Sequence, residues 1–336
     1  MKAAVLGAGS WGTALAVHLA GRFDVALWAR RASVARELAE RRENRGYLPG
    51  IRFPGRLHPV ADAVEALDGA GLVVLAVPTQ ALRRALAALP PGAVPPGARL
   101  VLACKGIEVG SLALPDRIVS EVLGPGAEGR IVALTGPSFA RELAEGQPTA
   151  VVAAGPAPAA SLVQEAFAAG SLRVYRSDDL LGAQLCGALK NVVAIAAGVA
   201  AGLGFGSNTM AALVTRALAE IARLGRAMGA RRETFMGLAG LGDLVLTCTG
   251  GLSRNRKVGE ELGRGRRLEE ILAGMREVAE GVETTRAAVS LAREHGVEMP
   301  IAVEVHGILF EEKDPRRALA DLLARPLRAE PEDGPT

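Results

Sequence analysis

The first half of the chain alternates short apolar runs with amphipathic segments of helical length, up to about residue 176. Runs of Val, Ile, Leu and Ala without polar alternation are typical of parallel strands covered on both faces, and the segments between them are long enough to be crossover helices. The pattern predicts a Rossmann-type, doubly wound α/β sheet. The predicted strands are 2–6, 25–28, 72–77, 100–103, 131–134, 150–153 and 173–175.

After Ser177 this alternation stops, and from Asp178 onward helical segments follow one another across glycine-rich breaks. We therefore predict an all-helical (all-α) domain over 178–325 after an α/β domain over 1–177, and a frayed polar tail at 326–336. The longest apolar stretch, 192–206, is shorter than the roughly 20 residues that cross a bilayer. We expect this stretch to be a buried helix, and we predict no integral membrane segment.

Charge and cysteine content narrow the possible partners and the compartment. Lys plus Arg total 39 against 36 for Asp plus Glu, a net charge of +3, so the chain lacks the broad basic surface that nucleic acids require. The three cysteines lie far apart, and the chain begins in a strand pattern without an apolar leader, so we expect a cytoplasmic protein. The four histidines are scattered, which predicts no metal site.

A glycine motif follows the first predicted strand directly and opens a helix, with Gly7, Gly9 and Gly12 in G-x-G-x-x-G spacing. In a dinucleotide-binding turn the first glycine allows the tight turn, the second lets backbone approach a pyrophosphate, and the third lets helix pack on strand. The N–H groups at the helix start then face the phosphates. Ordinary βα turns share this spacing, but its position between strand and helix favours a dinucleotide-binding domain.

The end of the second predicted strand indicates which coenzyme is preferred. Sites for NAD place Asp or Glu here to bind the ribose hydroxyls, whereas this chain continues with Arg30 and Arg31. Two guanidinium groups suit a 2′-phosphate, so we expect NADPH or NADH to bind and NADPH to be favoured. The alternative is a solvated arginine pair at the start of a helix.

Ligands of doubly wound sheets bind at the carboxyl ends of the strands, and three segments follow such ends: 78–80, 104–108 and 135–140. Lys105 stands beside a glycine, where its ammonium group can reach a bound oxygen, although an ordinary surface lysine is the alternative. Gly136 and Ser138 offer a backbone N–H and a hydroxyl to a ligand. Ser138 could instead only cap the helix that follows.

The segment around Lys190 and Asn191 carries the strongest chemical signal, because two polar side chains interrupt a long apolar helix. Burial lowers the pKa of a lysine and makes it a candidate general acid. The chain uses arginine for most of its basic residues, so a lysine here suggests chemistry that arginine cannot perform. The alternative is a lysine whose stem is buried while its ammonium group reaches water.

Two polar segments of the second half could complete this site. If Asp243 starts a helix, Thr247 lies one turn later on the same face, and the pair could bind a ligand or the buried lysine. Asp243 could equally be a helix cap. Ser253, Arg254 and Asn255 precede another helix, and a capping serine with a guanidinium group suits a phosphate dianion. A solvated basic helix start is the alternative.

Two carboxylates, Glu280 and Glu283, lie beside a glycine near residue 281. They could contact a ribose, or they could simply be exposed. The sequence leaves both interpretations open.

Together these segments resemble the bacterial NAD(P)-dependent glycerol-3-phosphate dehydrogenase family. The resemblance rests on GAGSWGTALA, CKGIE, TGPSFA, LKNVVAIAAG, GLGDLVLTCT, SRNR and EGVET, which follow in the family's order between residues 7 and 285. It implies an enzyme with a nucleotide-binding domain and a helical domain, which reduces dihydroxyacetone phosphate to sn-glycerol 3-phosphate for glycerophospholipid synthesis. By analogy we expect a homodimer formed through the helical domain.

The resemblance also implies roles for individual residues. Lys190 would transfer the proton, with Lys105 as the second lysine at the substrate. The cofactor contacts, besides the three glycines, would be Ser10, Trp11, Arg30, Arg31, Lys105, Ala140, Arg254, Val278 and Glu280. The substrate contacts would be Lys105, Gly136, Ser138, Lys190, Asp243, Ser253, Arg254 and Asn255, supported by Asn191 and Thr247. Thr135 departs from the serine expected before Gly136, and the arginine pair is more basic than in some relatives.

Two other functions remain open from the sequence. A dehydrogenase of a 3-hydroxy acid or of phosphogluconate also combines a helical second domain with a Lys-Asn pair, but Asp243 and the segment 253–255 favour a small phosphate ester. A non-enzymatic NADPH sensor would not need an intact Lys190 and Asn191. Consumption of NADPH on addition of dihydroxyacetone phosphate distinguishes the three functions.

Overall fold

A computed structural model describes residues 1–327, in which an α/β half precedes a helical half. The strands are β1 (Lys2–Leu6), β2 (Asp24–Trp28), β3 (Glu43–Asn44), β4 (Leu48–Arg52), β5 (Leu57–Val60), β6 (Ala70–Leu75), β7 (Arg99–Leu102), β8 (Ile131–Thr135), β9 (Thr149–Ala154) and β10 (Leu172–Ser177). The helices of this half are α1 (Ser10–Leu19), α2 (Ala32–Arg41), α3 (Ala63–Leu67), α4 (Thr79–Ala87), α5 (Pro115–Leu123), α6 (Ala140–Ala144) and α7 (Ala157–Phe167).

The helical half begins directly after β10. Its helices are α8 (Leu180–Gly202), α9 (Ser207–Ala227), α10 (Arg232–Met236), α11 (Asp243–Thr249), α12 (Arg254–Gly263), α13 (Leu268–Ala273), α14 (Glu280–Glu294), α15 (Pro300–Phe310) and α16 (Pro315–Leu323), with a π-helical turn at Leu238–Gly242. The predicted frayed tail at 326–336 falls mostly on 328–336, which lies outside the described residues.

The main sheet has eight strands in the order β10-β9-β8-β7-β6-β1-β2-β5. Neighbouring strands pair in parallel except β8 and β9, which are antiparallel. The predicted doubly wound α/β sheet is thus confirmed, with one antiparallel pair that the apolar runs do not reveal. Leu6 at the end of β1 lies opposite Trp28 and Leu75, so the loops that follow these strands leave at one edge.

All seven predicted strands are present with small shifts at their ends, whereas β3, β4 and β5 are missing from the prediction. β4 has the sequence LPGIR and is largely exposed, and β5 (LHPV) forms the outer edge of the main sheet. Proline and glycine are rare inside strands, and an edge strand needs no continuous apolar run. These three strands therefore carry no hydrophobic pattern from which to predict them.

The described residues form three large apolar cores, one on each face of the sheet and one in the helical half, and a small fourth cluster around Val152 and Ala183. The third surrounds α8, which packs against α9, α11, α12 and α14. Among the described residues, α8 is the one helix long and apolar enough to cross a membrane, and 83% of its most apolar window is buried inside the protein. The predicted buried helix over 192–206 is thus confirmed as far as Gly202, whereas residues 203–206 lie beyond the end of α8 and 204–206 are exposed.

The packing of α8 on α12 is unusually close. A Cβ atom added at Gly198 would lie 1.9 Å from the carbonyl oxygen of Arg256, and one added at Gly259 would lie 1.9 Å from that of Ile195. Only glycine fits at such backbone contacts. This contact brings the start of α12 beside the polar middle of α8.

Candidate active site

The candidate site lies where the carboxyl ends of β7 and β8 meet the middle of α8 and the start of α11. Lys105 follows β7, and Lys190 stands in α8 with its side chain 10% exposed. Asp243, 1% exposed, is the first residue of α11. The carboxyl edge of the sheet thus faces the polar segment of the apolar helix, as ligand sites of doubly wound sheets do.

Asp243 joins two lysines that are 85 residues apart in the sequence. Its Oδ1 lies 2.5 Å from Nζ of Lys190, and its Oδ2 lies 2.8 Å from Nζ of Lys105. The N-terminal cap of α11 is Gly242, and the Asp243 side chain makes no capping bond, so Asp243 is not a simple helix cap. The carboxylate serves as counter-ion to both ammonium groups.

Burial and the neighbouring charges shift the pKa values of Lys190 and Asp243. Burial lowers the pKa of Lys190 to about 8, although the Asp243 carboxylate partly opposes this shift. Burial alone would raise the pKa of Asp243, but the charges of Lys105 and Lys190 outweigh it and hold that pKa below its ordinary value. Near neutral pH the site therefore holds one carboxylate and an ammonium group that can release its proton.

Thr247 lies one helical turn after Asp243 and contacts the same lysine. Its hydroxyl accepts a hydrogen bond from Nζ of Lys190 at 2.8 Å and donates to the carbonyl oxygen of Asp243 at 2.6 Å. The i, i+4 spacing places both side chains on the face of α11 that meets α8. Of the two roles considered for the pair, the structure shows contact with the lysine.

Asn191 and Asn255 connect α8, α12 and α14 through their amides. Nδ2 of Asn191 donates to the carbonyl oxygen of Lys105 at 3.1 Å, and its Oδ1 accepts from Nδ2 of Asn255 at 2.9 Å. Oδ1 of Asn255 in turn accepts from the backbone N–H of Gly281 at 3.0 Å. Both amides are used within the protein, so their immediate effect is to hold the loop that carries Lys105 against the helices.

The other residues expected to contact the substrate lie at the start of α12 and after β8. Ser253 caps α12 by accepting from the backbone N–H of Arg256 at 3.2 Å. The Arg254 side chain is 44% exposed, with Nε 3.4 Å from a carboxylate oxygen of Glu277. Ser138 donates to the carbonyl oxygen of Gly136 at 2.9 Å, and the cap of α6 is Phe139. The alternative that Ser138 caps α6 is therefore wrong.

The glycine motif, residues 7–12, forms the turn between β1 and α1, and we call it the nucleotide loop. A Cβ atom at Gly7 would lie 2.7 Å from the carbonyl oxygen of Ala76, whereas one at Gly9 would meet nothing within 4 Å. Gly9 is the N-terminal cap of α1 and provides no side-chain acceptor for the free N–H groups. The buried indole N–H of Trp11 has no hydrogen-bond partner among the described residues. Open space, free donors and a helix N-terminus together fit a dinucleotide pyrophosphate.

The remaining cofactor candidates surround this loop. Arg30 and Arg31 are exposed between β2 and α2, and neither has an acidic partner within residues 1–327. Ala140 is the first residue of α6, and Val278 is 54% exposed before α14. The hydroxyl of Ser10 donates to the carbonyl oxygen of Tyr47 at 2.7 Å and also contacts Glu277.

The two carboxylates near residue 281 have different environments. Glu280 accepts a hydrogen bond from the backbone N–H of Thr79 at 2.8 Å, and burial raises its pKa above the ordinary value. Glu283 is 46% exposed and lies 3.9 Å from Arg286. Glu280 thus connects α14 to the loop after β6, while Glu283 lies on the surface.

Three further residues at the site were given no role by the sequence prediction, although Thr135 lies in the candidate segment 135–140. The Thr135 hydroxyl lies 3.5 Å from Oδ2 of Asp243, Glu277 contacts both Ser10 and Arg254, and Asn44 contacts the nucleotide loop. Thr135 directly follows the predicted strand 131–134 and is the last residue of β8, so its position was a usable signal. Glu277 and Asn44 lie in segments without periodicity, and only the folded chain brings them to the loop.

Family models match both halves of the chain. The model described as the NAD-dependent glycerol-3-phosphate dehydrogenase N-terminus matches residues 2–161, and the C-terminus model matches residues 179–320. A protein of Citrifermentans bemidjiense named glycerol-3-phosphate dehydrogenase [NAD(P)+] is 52% identical over 331 residues, which cover 98% of each chain.

Solved structures agree with this assignment. The glycerol-3-phosphate dehydrogenase of Coxiella burnetii superposes with a TM-score of 0.91 at 38% identity, covering 96% of this chain and 99% of that one. The yeast glycerol-3-phosphate dehydrogenase GPD1 gives a TM-score of 0.80 at 28% identity, covering 97% and 99%. The resemblance inferred from the seven sequence segments is confirmed: the chain belongs to the NAD-dependent glycerol-3-phosphate dehydrogenase family.

Proposed function

We propose that the chain reduces dihydroxyacetone phosphate to sn-glycerol 3-phosphate with NADPH or NADH, reversibly, and thereby supplies glycerophospholipid synthesis in the cytoplasm. The observation that carries this proposal is the buried Lys190 ammonium group, held by Asp243 and Thr247 beside the carboxyl edge of a dinucleotide-binding sheet. The names of the 50 to 52% identical relatives supply the reaction.

The nucleotide loop and its surroundings would hold the cofactor. The cofactor contacts in this proposal are Gly7, Gly9, Ser10, Trp11, Gly12, Arg30, Arg31, Lys105, Ala140, Arg254, Val278 and Glu280. When bound, the reduced nicotinamide supplies the hydride for the carbonyl carbon. Since Arg30 and Arg31 are exposed and have no acidic partner within residues 1–327, they are available to a 2′-phosphate, which supports a preference for NADPH.

Lys190 is the proton donor in this proposal. Its ammonium group has three N–H donors, and two of them bind Asp243 and Thr247. The third has no acceptor among the described residues and is available to the carbonyl oxygen of the substrate. A pKa of about 8 keeps most of the group protonated at neutral pH, and it lowers the free energy needed to release the proton below that of an ordinary lysine.

Asp243 and Lys105 set the electrostatic environment of Lys190 before the substrate binds. As negative charge develops on the substrate oxygen, two ammonium groups fixed by one carboxylate can stabilise it without reorganisation. Asn191 holds the carbonyl oxygen of Lys105, and so maintains the distance between the loop after β7 and α8. Asp243 and Asn191 thus act mainly by positioning the lysines.

The phosphate of the substrate would bind at the start of α12. Ser253, Arg254 and Asn255 supply backbone N–H groups and an exposed guanidinium group there, while Gly136 and Ser138 would bind the glycerol portion. Because the Asn255 amide already binds Asn191 and Gly281, we expect its contribution to come from the backbone. Anchoring a remote phosphate fixes the carbonyl carbon against the hydride donor.

The proposal includes two features of organisation. Residues 1–177 would form the dinucleotide-binding domain and residues 178–325 the substrate domain, consistent with β10 ending at Ser177 and α8 beginning at Leu180. The helical domain would form the contact of a homodimer, by analogy with relatives. Sedimentation of the purified chain should give twice the 34.7 kDa monomer mass. A monomer at assay concentration would remove the dimer from the proposal.

The reaction itself is tested by adding dihydroxyacetone phosphate to the purified chain with NADPH and following NADPH absorbance. We expect rapid NADPH oxidation and sn-glycerol 3-phosphate as the product. Dihydroxyacetone without phosphate should be used poorly. NADPH oxidation with a 3-keto acid but not with dihydroxyacetone phosphate would contradict the proposed substrate, and no oxidation with either would contradict an enzymatic role.

A further inference from the structure

The hairpin of β3 and β4 lies against the nucleotide loop, and one buried side chain of the hairpin bonds to the loop directly. Asn44, 2% exposed, donates from Nδ2 to the carbonyl oxygen of Ala8 at 2.9 Å and to the hydroxyl of Thr13 at 2.8 Å. Its Oδ1 accepts from the backbone N–H of Tyr47 at 3.2 Å. Both donors and the acceptor of this amide are therefore used.

The bond to Ala8 fixes the orientation of one peptide group in the nucleotide loop. In a planar trans peptide, the carbonyl oxygen and the following N–H point in opposite directions. Because the Ala8 carbonyl is directed at Asn44, the Gly9 N–H is directed away from the hairpin. The space at Gly9 is open, since an added Cβ atom would meet nothing within 4 Å.

A second set of bonds holds the adjacent residues in the same arrangement. The Ser10 hydroxyl donates to the carbonyl oxygen of Tyr47 at 2.7 Å, and the Thr13 N–H donates to the carbonyl oxygen of Gly9 at 2.9 Å. The hairpin therefore bonds to the loop on both sides of Gly9, at Ala8 and at Ser10. If the Ala8 peptide turned over, it would present a carbonyl oxygen instead of an N–H to an anion, which is repulsive.

We propose that Asn44 is a positioning residue for cofactor binding: by holding the Ala8 carbonyl, it directs the Gly9 N–H at the pyrophosphate of the dinucleotide. This inference rests on the proposed function only in that the cofactor is a dinucleotide. The hairpin orders the nucleotide loop before the dinucleotide binds. Such ordering increases affinity by reducing the entropy lost on binding.

The test compares Asn44→Asp and Asn44→Ala with Asn208→Ala, a control at an exposed position in α9. Asp keeps the size and the acceptor of Asn but loses both N–H donors. Calorimetric titration would measure the binding of NADPH, of ADP-ribose, which keeps the pyrophosphate, and of adenosine, which has no phosphate. We expect both Asn44 variants to bind NADPH and ADP-ribose at least about tenfold more weakly, or about 1.4 kcal/mol. Adenosine binding should change much less, and Asn208→Ala should match the wild type.

Three results would overturn the proposal: equal weakening for all three ligands, normal ADP-ribose binding by Asn44→Asp, or no ADP-ribose binding by the wild type. A crystal structure of the wild type with ADP-ribose tests the same claim without a variant, because the Gly9 nitrogen should lie within hydrogen-bond distance of a pyrophosphate oxygen. A Gly9 N–H that faces elsewhere would overturn the proposal. None of these measurements uses dihydroxyacetone phosphate, so a chain that binds as predicted but does not reduce it contradicts the proposed function alone.

Discussion

At the scale of single residues, the proposed chemistry depends on the Asp243 carboxylate, which forms ion pairs with both Lys190 and Lys105. Asp243 keeps Lys190 protonated despite burial, while burial keeps the pKa of Lys190 near 8 rather than at the value of a free lysine. A lysine paired without burial would hold its proton too firmly, and a buried lysine without a counter-ion would lose it at neutral pH. The site balances the two effects.

This balance predicts opposite pH dependence for the two directions of the reaction. Reduction needs protonated Lys190, so its kcat/KM should fall as pH rises through about 8. Oxidation of sn-glycerol 3-phosphate needs the neutral amine, so its kcat/KM should rise over the same range. Initial rates in both directions between neutral and alkaline pH check this expectation. Parallel profiles would show that a different group titrates.

The arginine pair after β2 predicts the coenzyme preference. The double variant Arg30→Ala, Arg31→Ala should lose at least about tenfold in NADPH affinity, because it removes two charge-assisted contacts to the 2′-phosphate. NADH, which lacks that phosphate, should bind nearly as well as before. Fluorescence titration with both coenzymes measures the difference. Equal losses for NADPH and NADH would leave the pair as an ordinary solvated helix start.

At the scale of secondary structure elements, glycine decides how closely α12 approaches α8. The Cβ atom introduced by Gly198→Ala would lie only 1.9 Å from the carbonyl oxygen of Arg256 if the helices did not move, so α8 and α12 must separate. We expect a loss of about 2 to 3 kcal/mol in the free energy of unfolding. Gly206→Ala is the matched control, since its Cβ atom would meet nothing within 4 Å. Urea unfolding of both variants tests this, and equal stabilities would contradict the close contact.

A buried carboxylate connects α9 with the start of α15. Glu220, 4% exposed, accepts from the backbone N–H of Ile301 at 2.9 Å, and burial raises its pKa to about 7 despite Arg223 and Arg325 nearby. Because the folded pKa lies above the unfolded one, the stability from this group is complete below about pH 4.5 and is lost as pH rises through 7.

Glu220→Gln should therefore be the more stable protein at pH 8, by about 2 to 3 kcal/mol, because glutamine still accepts from Ile301 but carries no charge. The advantage should shrink towards pH 5. Thermal unfolding at both pH values measures it, with the exposed Glu37→Gln as control. An advantage that does not change with pH would contradict the raised pKa.

Sequence patterns predicted the elements whose environment is uniform. β1 lies among apolar groups, as does α8 outside its polar middle, and their runs of apolar residues follow from that environment. The hairpin of β3 and β4 is held by Asn44, whose amide contacts the nucleotide loop rather than a core, so no periodicity marks it. The antiparallel pairing of β8 and β9 depends on chain direction, which an apolar run does not encode.

At the scale of the whole molecule, the site exists only because the two halves meet. The strand ends provide Lys105 and Thr135, while α8 and α11 provide Lys190, Asp243 and Thr247. The sequence predicted a buried lysine with a lowered pKa at position 190, because a polar interruption of an apolar helix is visible locally. It could not show that one carboxylate serves both lysines, because that arrangement joins residues from distant segments through the packing of α11 on α8.

Two residues predicted at the substrate site instead have side chains that bond within the protein. Asn191 and Asn255 were expected to face the substrate, yet their amides bind each other and the backbone of neighbouring elements. An isolated polar residue in a sequence indicates that a partner exists, but it does not indicate whether that partner is a ligand or the protein itself. Only the packing of α8, α12 and α14 distinguishes the two.

The most direct measurement compares the turnover and NADPH binding of Lys190→Ala with those of Lys2→Ala, a lysine at the opposite edge of the sheet. We expect Lys190→Ala to lose about 100-fold to 10,000-fold in kcat for dihydroxyacetone phosphate at saturating NADPH, while its Kd for NADPH stays at the wild-type value. Lys2→Ala should keep both. A Lys190→Ala protein that turns over at nearly the wild-type rate would contradict the role of Lys190 as proton donor, because the proton would then come from another group.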